Sequence, residues 1–271
     1  MSAERRYLQE LIIAELGVPA SFDADTEIER RIEFLADQLR RTGATSYVLG
    51  ISGGVDSATA GRLCQLAVER VRAEGGQATF VAMRLPYGVQ VDEADAQRSL
   101  EFIKPDETLS VDVKPATDAL VESVRHAGLG EREDFHTGNI KARQRMIAQY
   151  LVAGARGGLV VGTDHAAEAV MGFYTKYGDG ACDLTPLSGL TKRRVRAIAT
   201  RLGASDELTG KVPTADLETS KPGLPDEVAL GVTYDEIDDF LEGREVSEKA
   251  AATIIATHRR TAHKRAVPLA V

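Results

Sequence analysis

The sequence predicts an α/β domain in which a parallel β-sheet is flanked by helices, with helical additions at both ends. Three observations carry this. Short apolar runs alternate with segments of helical periodicity, a glycine-containing polar loop follows the first run directly, and 271 residues suit one such domain rather than two large ones. Hydrophobic residues at 43% and charged residues at 27% exclude wholesale disorder.

Ile28, Ile32, Leu35 and Leu39 recur at helical spacing over residues 25–41, with Asp23 and Asp25 as candidate caps and Gly43 as the stop. Residues 46–51 form a short apolar run of the kind found in a buried parallel strand. After the polar loop, Leu63, Leu66, Ala67 and Val71 place a helix over 58–73, and a second strand over 79–85 completes a βαβ unit. Helix 93–103, strand 108–113, helix 116–127, helix 139–153 and strand 159–163 continue the alternation. Thr191 and Gly203 read as the cap and the stop of a helix over 191–202. Residues 204–226, with Pro213, Pro222, Gly223 and Pro225, read as an irregular segment, either a lid or a disordered stretch. A helix over 246–264 ends in basic residues.

The longest apolar stretches, such as Leu159-Val160-Val161, fall far short of the roughly 20 residues of a membrane span. Glu4, Arg5, Arg6, Glu10 and Glu15 interrupt the N-terminus, which does not read as a secretory signal, so the cytoplasm is the expected location. The two cysteines, Cys64 and Cys182, offer neither a disulfide framework nor a zinc site and are expected to be reduced. A net charge of −8 argues against nucleic acid as a partner. A polyanionic substrate must then be held by local cations, loop amides or a metal.

The loop is Ser52-Gly53-Gly54-Val55-Asp56-Ser57. Two glycines permit a tight turn between strand and helix, and such a turn points several N–H groups outward beside the positive end of the helix dipole. It is a cradle for phosphate oxygens beyond the carboxyl end of the first strand. The loop has neither the lysine of a P-loop nor the third glycine of a dinucleotide fingerprint. A carboxylate beside such a cradle repels phosphate unless a cation lies between them, so Asp56 reads as an Mg²⁺ ligand. The plainer alternative is a capped turn, in which Ser52, Asp56 and Ser57 only satisfy helix amides.

Ser-Gly-Gly-x-Asp-Ser after a strand resembles the pyrophosphate loop of N-type ATP pyrophosphatases, which cleave ATP between the α and β phosphates and transfer AMP to an oxygen acceptor. Three further stretches narrow the resemblance: Gly162-Thr163-Asp164-His165-Ala166-Ala167-Glu168-Ala169, Phe173-Tyr174-Thr175-Lys176-Tyr177-Gly178-Asp179-Gly180 and Asp183-Leu184-Thr185-Pro186-Leu187-Ser188-Gly189-Leu190-Thr191-Lys192-Arg193. Together with Arg84-Leu85-Pro86-Tyr87-Gly88, Gly138-Asn139-Ile140-Lys141-Ala142-Arg143, Pro213-Thr214-Ala215-Asp216-Leu217, Tyr234-Asp235-Glu236-Ile237-Asp238 and His263-Lys264-Arg265, they are similar nearly end to end to ammonia-dependent NAD synthetases.

That resemblance implies a single Rossmann-like domain over residues 1–271 and a carbon–nitrogen ligase. Such an enzyme amidates deamido-NAD with ammonia and ATP, through an acyl adenylate, to give NAD, AMP and pyrophosphate. It implies that Gly50, Ile51, Ser52, Gly53, Gly54, Val55, Asp56 and Ser57 hold the phosphates, with Arg84 and Gln90 near the adenosine half and Thr163, Lys192 and Thr214 also on ATP. Asp56 and Glu168 would ligate Mg²⁺, and Arg143, Lys176, Asp183, His263 and Lys264 would address deamido-NAD. Asp56, Lys192 and Thr214 would be the catalytic set, and residues 204–226 the lid. A homodimer is implied, with helices 139–153 and 164–171 as interface candidates. The length leaves no room for a glutaminase domain, so free ammonia is the expected nitrogen donor.

Local readings stand beside these. Glu168 also suits a helix N-terminus, and His263 and Lys264 suit a helix C-terminus. Arg143 shares its helix with Lys141 and Arg145 as one wet face. Lys176, Lys192 and Arg193 are expected to cluster. His165 reads as a buried histidine outside the core site. A tRNA-modifying adenylating enzyme and a nucleotide-binding regulatory module are the rival classes. The acidic balance disfavours the first, and the second would bind ATP without forming AMP.

Overall fold

The computed structural model describes residues 2–88, 93–129, 134–215 and 224–268. Helices α1 (Ala3–Glu15) and α2 (Ala24–Thr42) lead into strand β1 (Ser46–Gly50), followed by α3 (Val55–Ala73), β2 (Thr79–Arg84), α4 (Glu93–Ile103), β3 (Glu107–Ser110), α5 (Lys114–Val124), α6 (Asp134–Ala155) and β4 (Gly158–Val160). Beyond the sheet come α7 (Ala166–Met171), α8 (Lys192–Arg201), α9 (Asp206–Thr209), a ribbon of β5 (Thr214–Ala215) and β6 (Leu224–Pro225), α10 (Asp226–Leu230), α11 (Tyr234–Leu241), α12 (Glu248–Arg260) and α13 (Ala262–Arg265).

The main sheet runs β3-β2-β1-β4 with every pairing parallel, and Val48 of β1 lies between Val81 and Val160. Both faces are buried, which is why the strands read as continuous apolar runs. Side chains alternate between the faces with period two. Tyr47, Leu49, Phe80 and Ala82 meet Leu35 and Leu39 of α2, Leu63 and Val68 of α3, and Val195 and Ile198 of α8. Val48, Val81, Met83 and Val160 form the opposite cluster with Ala153 of α6. Ile12, Val170, Ile237, Phe240 and Ile254 build a third cluster, which binds α1, α7, α11 and α12 together.

The punctuation residues act as expected where their chemistry is local. Asp23 caps α2 by accepting from Thr26 N at 2.9 Å, and Gly43 ends that helix at φ 71°. Asp25 instead sits in the first turn and pairs with Arg201 at 2.6 Å. Helix α3 begins at Val55 rather than 58, because the loop turns sharply enough at Gly53 and Gly54 for Asp56 and Ser57 to fall in its first turn. The expected final helix is divided at Thr261 into α12 and α13. Part of the expected irregular segment is ordered as α9 and the ribbon, and its stretch 216–223 lies outside the described residues. Helix α1, with Gln9 and Ile12 its buried residues, was not legible as a helix.

Two consequences bear on interfaces and on the site. The apolar residues of α7 are covered within the chain, so 164–171 presents no apolar face that would call for a dimer partner. Helix α6 does leave Phe135, Ile147, Tyr150 and Leu151 exposed. Meanwhile β1 connects through α3 to β2 on one side and lies beside β4 on the other, so the carboxyl ends of β1 and β4 bound a crevice at a switch in strand order. Buried Arg31 of α2 pairs with Glu27 and donates to the carbonyls of Pro186 and Ser188, fixing the segment that leads into α8. No helix among the described residues is long and apolar enough to cross a membrane.

The surroundings of both cysteines disfavour the thiolate. Burial pushes the Cys64 thiol far up, and burial followed by Asp164 and Asp183 pushes Cys182 up to about 12. The thiolate is the reacting species, so near pH 8 the folded protein is expected to resist alkylation by iodoacetamide while the urea-unfolded chain takes two labels. Mass spectrometry that found rapid labelling of Cys64 in the folded state would contradict this burial.

Candidate active site

Strand β1 ends at Gly50, whose amide donates to Gln149 Oε1 of α6 at 2.7 Å. Ile51 N still reaches Met83 O at 2.8 Å, and then the chain turns. Gly53 adopts φ 81°, and a Cβ there would stand 2.9 Å from Ala96 N, so the turn admits glycine alone without movement of α4. Ser57 Oγ accepts from Ser52 N at 3.2 Å and lies 3.1 Å from Ser52 Oγ, which in turn accepts from Gly54 N at 3.3 Å. These bonds brace the loop. Gly54, the N-cap of α3, provides no side chain to cap the helix. Asp56 does not cap it either: its carboxylate turns across the crevice. The plain capped-turn reading therefore does not hold for Asp56.

Asp56 Oδ2 accepts from Lys192 Nζ at 2.6 Å, and Lys192 is 2% exposed. Asp56 Oδ1 is buried without a hydrogen-bond partner, 3.5 Å from His165 Nε2. The same ring nitrogen lies 3.6 Å from Glu168 Oε1. Among the described residues, Asp56, His165 and Glu168 bring two carboxylate oxygens and one imidazole nitrogen within 4.8 Å of one another. His165 Nδ1 accepts from Glu168 N at 3.4 Å as the N-cap of α7, which leaves the ring proton on Nε2, facing the two carboxylates. Two carboxylate oxygens beside a protonated nitrogen are a hard oxygen donor set, and it fits Mg²⁺.

The electrostatics point the same way. Burial opposes the ionisation of Asp56, yet Lys192 and then His165 hold its carboxyl far below the usual range. Burial and then the Asp56 charge push Glu168 well above its usual value. Burial and then Asp179 raise Asp164 to about 7. Lys192, despite a burial that favours the neutral amine, is held cationic by Asp56 and Glu168. One ammonium thus serves an excess of carboxylates, and a further cation would relieve the remainder.

This cluster opens into a cleft of about 610 Å³. Of the residues singled out in the sequence, Gly50, Ile51, Ser52, Gly54, Val55, Asp56, Ser57, Thr163, Glu168, Lys192, Thr214 and Lys264 line it. Gly53 backs the loop, and its carbonyl accepts from Lys211 Nζ at 3.4 Å. Arg84 lies at a second cleft of about 480 Å³, bound to Glu93 at 2.8 and 2.9 Å. Gln90 lies outside the described residues.

The cations and carboxylate assigned to a second substrate are spread differently. Arg143 donates to Lys176 O at 3.2 Å, and Lys176 Nζ donates to His263 O, so these three form one chain of contacts. Asp183 accepts from Val160 N at 2.7 Å and from Tyr150 at 3.4 Å. Lys264 Nζ donates to Gly172 O and Tyr174 O at 2.8 and 2.6 Å. Lys176, Lys192 and Arg193 do not gather as expected. Arg193 turns instead to Asp235, Asp239 and Glu242, because helix α8 points it away from Lys192 and towards α11.

Residues 27–268 match the family model described as NAD synthase. The chain belongs to the NAD synthase family. It is 64% identical over 267 residues to an NH(3)-dependent NAD(+) synthetase of Streptomyces coelicolor, covering 97% of each chain. It is 61% identical to one of Burkholderia pseudomallei, covering 95% of this chain and 92% of that one. Among solved structures it resembles an NAD+ synthetase from Burkholderia pseudomallei at TM-score 0.86 and 57% identity, with 99% of each chain covered. It also resembles an NMN synthetase from Francisella tularensis at 0.81 and 34%, with 93% and 99% covered.

Within this site, sequence reasoning missed Gln149 and Lys211. Lys211 Nζ bridges the loop carbonyl to Asp95 Oδ2, the latter at 2.5 Å, and no local pattern announces a contact between residues so far apart. Removing one member of a buried ion pair strands the other. Lys192→Met is therefore expected to lower folding stability by about 3–5 kcal/mol in urea denaturation. A loss under about 1 kcal/mol would mean that the carboxylates do not depend on this ammonium.

Proposed function

We propose that this chain amidates deamido-NAD with ammonia at the expense of ATP, giving NAD, AMP and pyrophosphate. The observation that carries the reading is the Asp56–Lys192–Glu168 cluster beneath an uncapped glycine loop, in the cleft between β1 and β4. Such a cleft pairs backbone donors for phosphate with a carboxylate surplus for a phosphate-borne cation, and the identity to ammonia-dependent relatives supports the choice of acceptor.

In this reading residues 50–57 hold the phosphates of ATP, with Arg84 and Gln90 beside adenosine and Thr163, Lys192 and Thr214 completing the contacts. Arg143, Lys176, Asp183, His263 and Lys264 address deamido-NAD. Asp56 and Glu168 would hold Mg²⁺, which when bound neutralises phosphate charge. The nicotinate carboxylate of deamido-NAD attacks the α-phosphorus, forming the acyl adenylate as the bond to pyrophosphate breaks. Ammonia then attacks the acyl carbon, AMP departs with the former carbon–oxygen bond pair, and the surplus proton goes to solvent.

The protein supplies position and charge rather than a covalent nucleophile. Lys192, fixed by Asp56, presents a desolvated ammonium to charge growing on the departing pyrophosphate. The loop amides hold the β and γ phosphates still, so the α-phosphorus stays in line with the incoming carboxylate. Thr214 reaches the cleft from the ribbon and helps cover the nucleotide from water.

We further propose a homodimer built on α6, with deamido-NAD near the subunit boundary. Exposed Phe135, Ile147, Tyr150 and Leu151 lie on the helix that also carries Arg143 and Gln149, so a partner on this face would stand beside the cleft. Leu151→Glu is expected to shift sedimentation from dimer towards monomer; an unchanged dimer would move the interface elsewhere.

The central test mixes purified protein with ATP, Mg²⁺, ammonium and deamido-NAD, omitting each in turn, and follows AMP and NAD. Both products are expected only in the complete mixture, with glutamine a poor substitute for ammonium and nicotinate mononucleotide a poorer acceptor. Asp56→Asn is expected to lower turnover by at least about 100-fold, the scale of losing a principal electrostatic stabiliser. Full Mg²⁺-dependent turnover in that variant would refute the assignment, and ATP binding with no AMP under any acceptor would favour a regulatory module.

A further inference from the structure

Helix α11 carries Tyr234-Asp235-Glu236-Ile237-Asp238, and no step of the reaction above uses it. Tyr234 and Asp238 stand one turn apart on its buried side, 4% and 1% exposed. Asp238 accepts from Lys192 N at 3.0 Å and from Arg193 N at 2.7 Å, while Thr191 Oγ1 accepts from Arg194 N at 3.3 Å. The orphan amides that open α8 are thereby satisfied, and the Lys192 backbone is fixed.

The far end of the same lysine meets Tyr234, whose ring lies 4.9 Å from Lys192 Nζ. The tyrosine hydroxyl donates to Asp226 Oδ2 at 3.1 Å, and its amide donates to Glu227 Oε1 at 2.8 Å. Asp226 N in turn donates to Pro213 O at 3.0 Å, at the base of the ribbon that begins with Thr214. A continuous line of contacts therefore runs from the ribbon through Asp226 and Tyr234 to Lys192, and from Lys192 to Asp56. A lysine side chain has four rotatable bonds to settle, and an aromatic face on one side with a carboxylate on the other leaves it one direction.

We infer that Tyr234 is a positioning residue that aims the Lys192 ammonium and ties it, through Asp226, to the ribbon carrying Thr214. The inference rests on the proposed reaction, in which Lys192 acts on charge that appears only as pyrophosphate leaves. An error in its aim then costs turnover more than nucleotide binding.

The experiment compares Tyr234→Phe, Tyr234→Leu, Asp226→Ala and the Tyr234→Phe/Asp226→Ala double variant with the wild type, by steady-state kinetics and thermal unfolding. Tyr234→Phe keeps the ring and removes only the bond to Asp226. Its kcat is expected to fall about tenfold with KM for ATP within about twofold, the scale of one hydrogen bond to a charged group. Tyr234→Leu should fall further, and the double variant should be no worse than the worse single, since both changes cut the same bond. Wild-type kcat in folded Tyr234→Phe would overturn the inference, as would a lower melting temperature with unchanged kcat, or strictly additive losses. A wild type that forms no NAD overturns the reaction and this inference with it, whereas an active wild type beside an unaffected Tyr234→Phe overturns this inference alone.

Discussion

The bond between Asp56 and Lys192 joins two elements that the chain separates by about half its length, and the site takes its shape from it. A buried ion pair is an expensive contact, because both partners leave water and the attraction between them only roughly repays the cost. Here the cost is compounded. Glu168, Asp164 and Asp179 crowd the same space, and burial drives all three carboxyls towards their neutral forms. A fold under selection for stability alone has no use for such an arrangement. It becomes intelligible under the proposed function, in which a nucleotide carrying a divalent cation would bring charge of both signs to surfaces suited to each.

The sheet makes this juxtaposition possible. Because β4 pairs with β1 while β2 lies on the other side, the loop after β1 and the segment after β4 emerge next to each other. The first supplies amides and Asp56; the second supplies Thr163, His165 and Glu168. Helix α8 then closes the third side, and Arg31, gripping two carbonyls of the preceding segment, keeps its approach in register. His165 links the halves by a single tautomer: one ring nitrogen caps α7 while the other faces the two carboxylates.

Legibility in the sequence followed the range of the forces involved. Where chemistry is local, as at Asp23, Gly43 and Thr191, caps and stops fall where the residues indicate. The strands were legible because a sheet buried on both faces leaves unbroken apolar runs, and the turn after β1 because two glycines and a hydroxyl residue encode it. Helix α1 was not, since its buried stripe is narrow and its stability comes from α11 and α12. Lys211 and Gln149 were illegible for a related reason: each acts on the loop across a separation that no spacing records. The assignments for deamido-NAD came from resemblance alone, and the structure gives several of those side chains local partners, with Lys264 bound to two carbonyls of its own chain.

That last contrast separates two kinds of cation in the molecule. Lys264 is bound by two carbonyl oxygens, neutral acceptors that hold the side chain without placing a carboxylate at hydrogen-bond distance. Lys192 has instead a carboxylate at hydrogen-bond distance and an aromatic face behind it. Its charge keeps Asp56 ionised before any ligand arrives, and in the proposed reaction it would also meet phosphate charge growing nearby. A side chain with two such duties cannot wander between them, because each ångström of drift weakens the attraction to Asp56 in a medium that screens it poorly. Rigid placement from both ends, by amide caps at the backbone and a ring at the tip, is the physical solution that the fold has adopted.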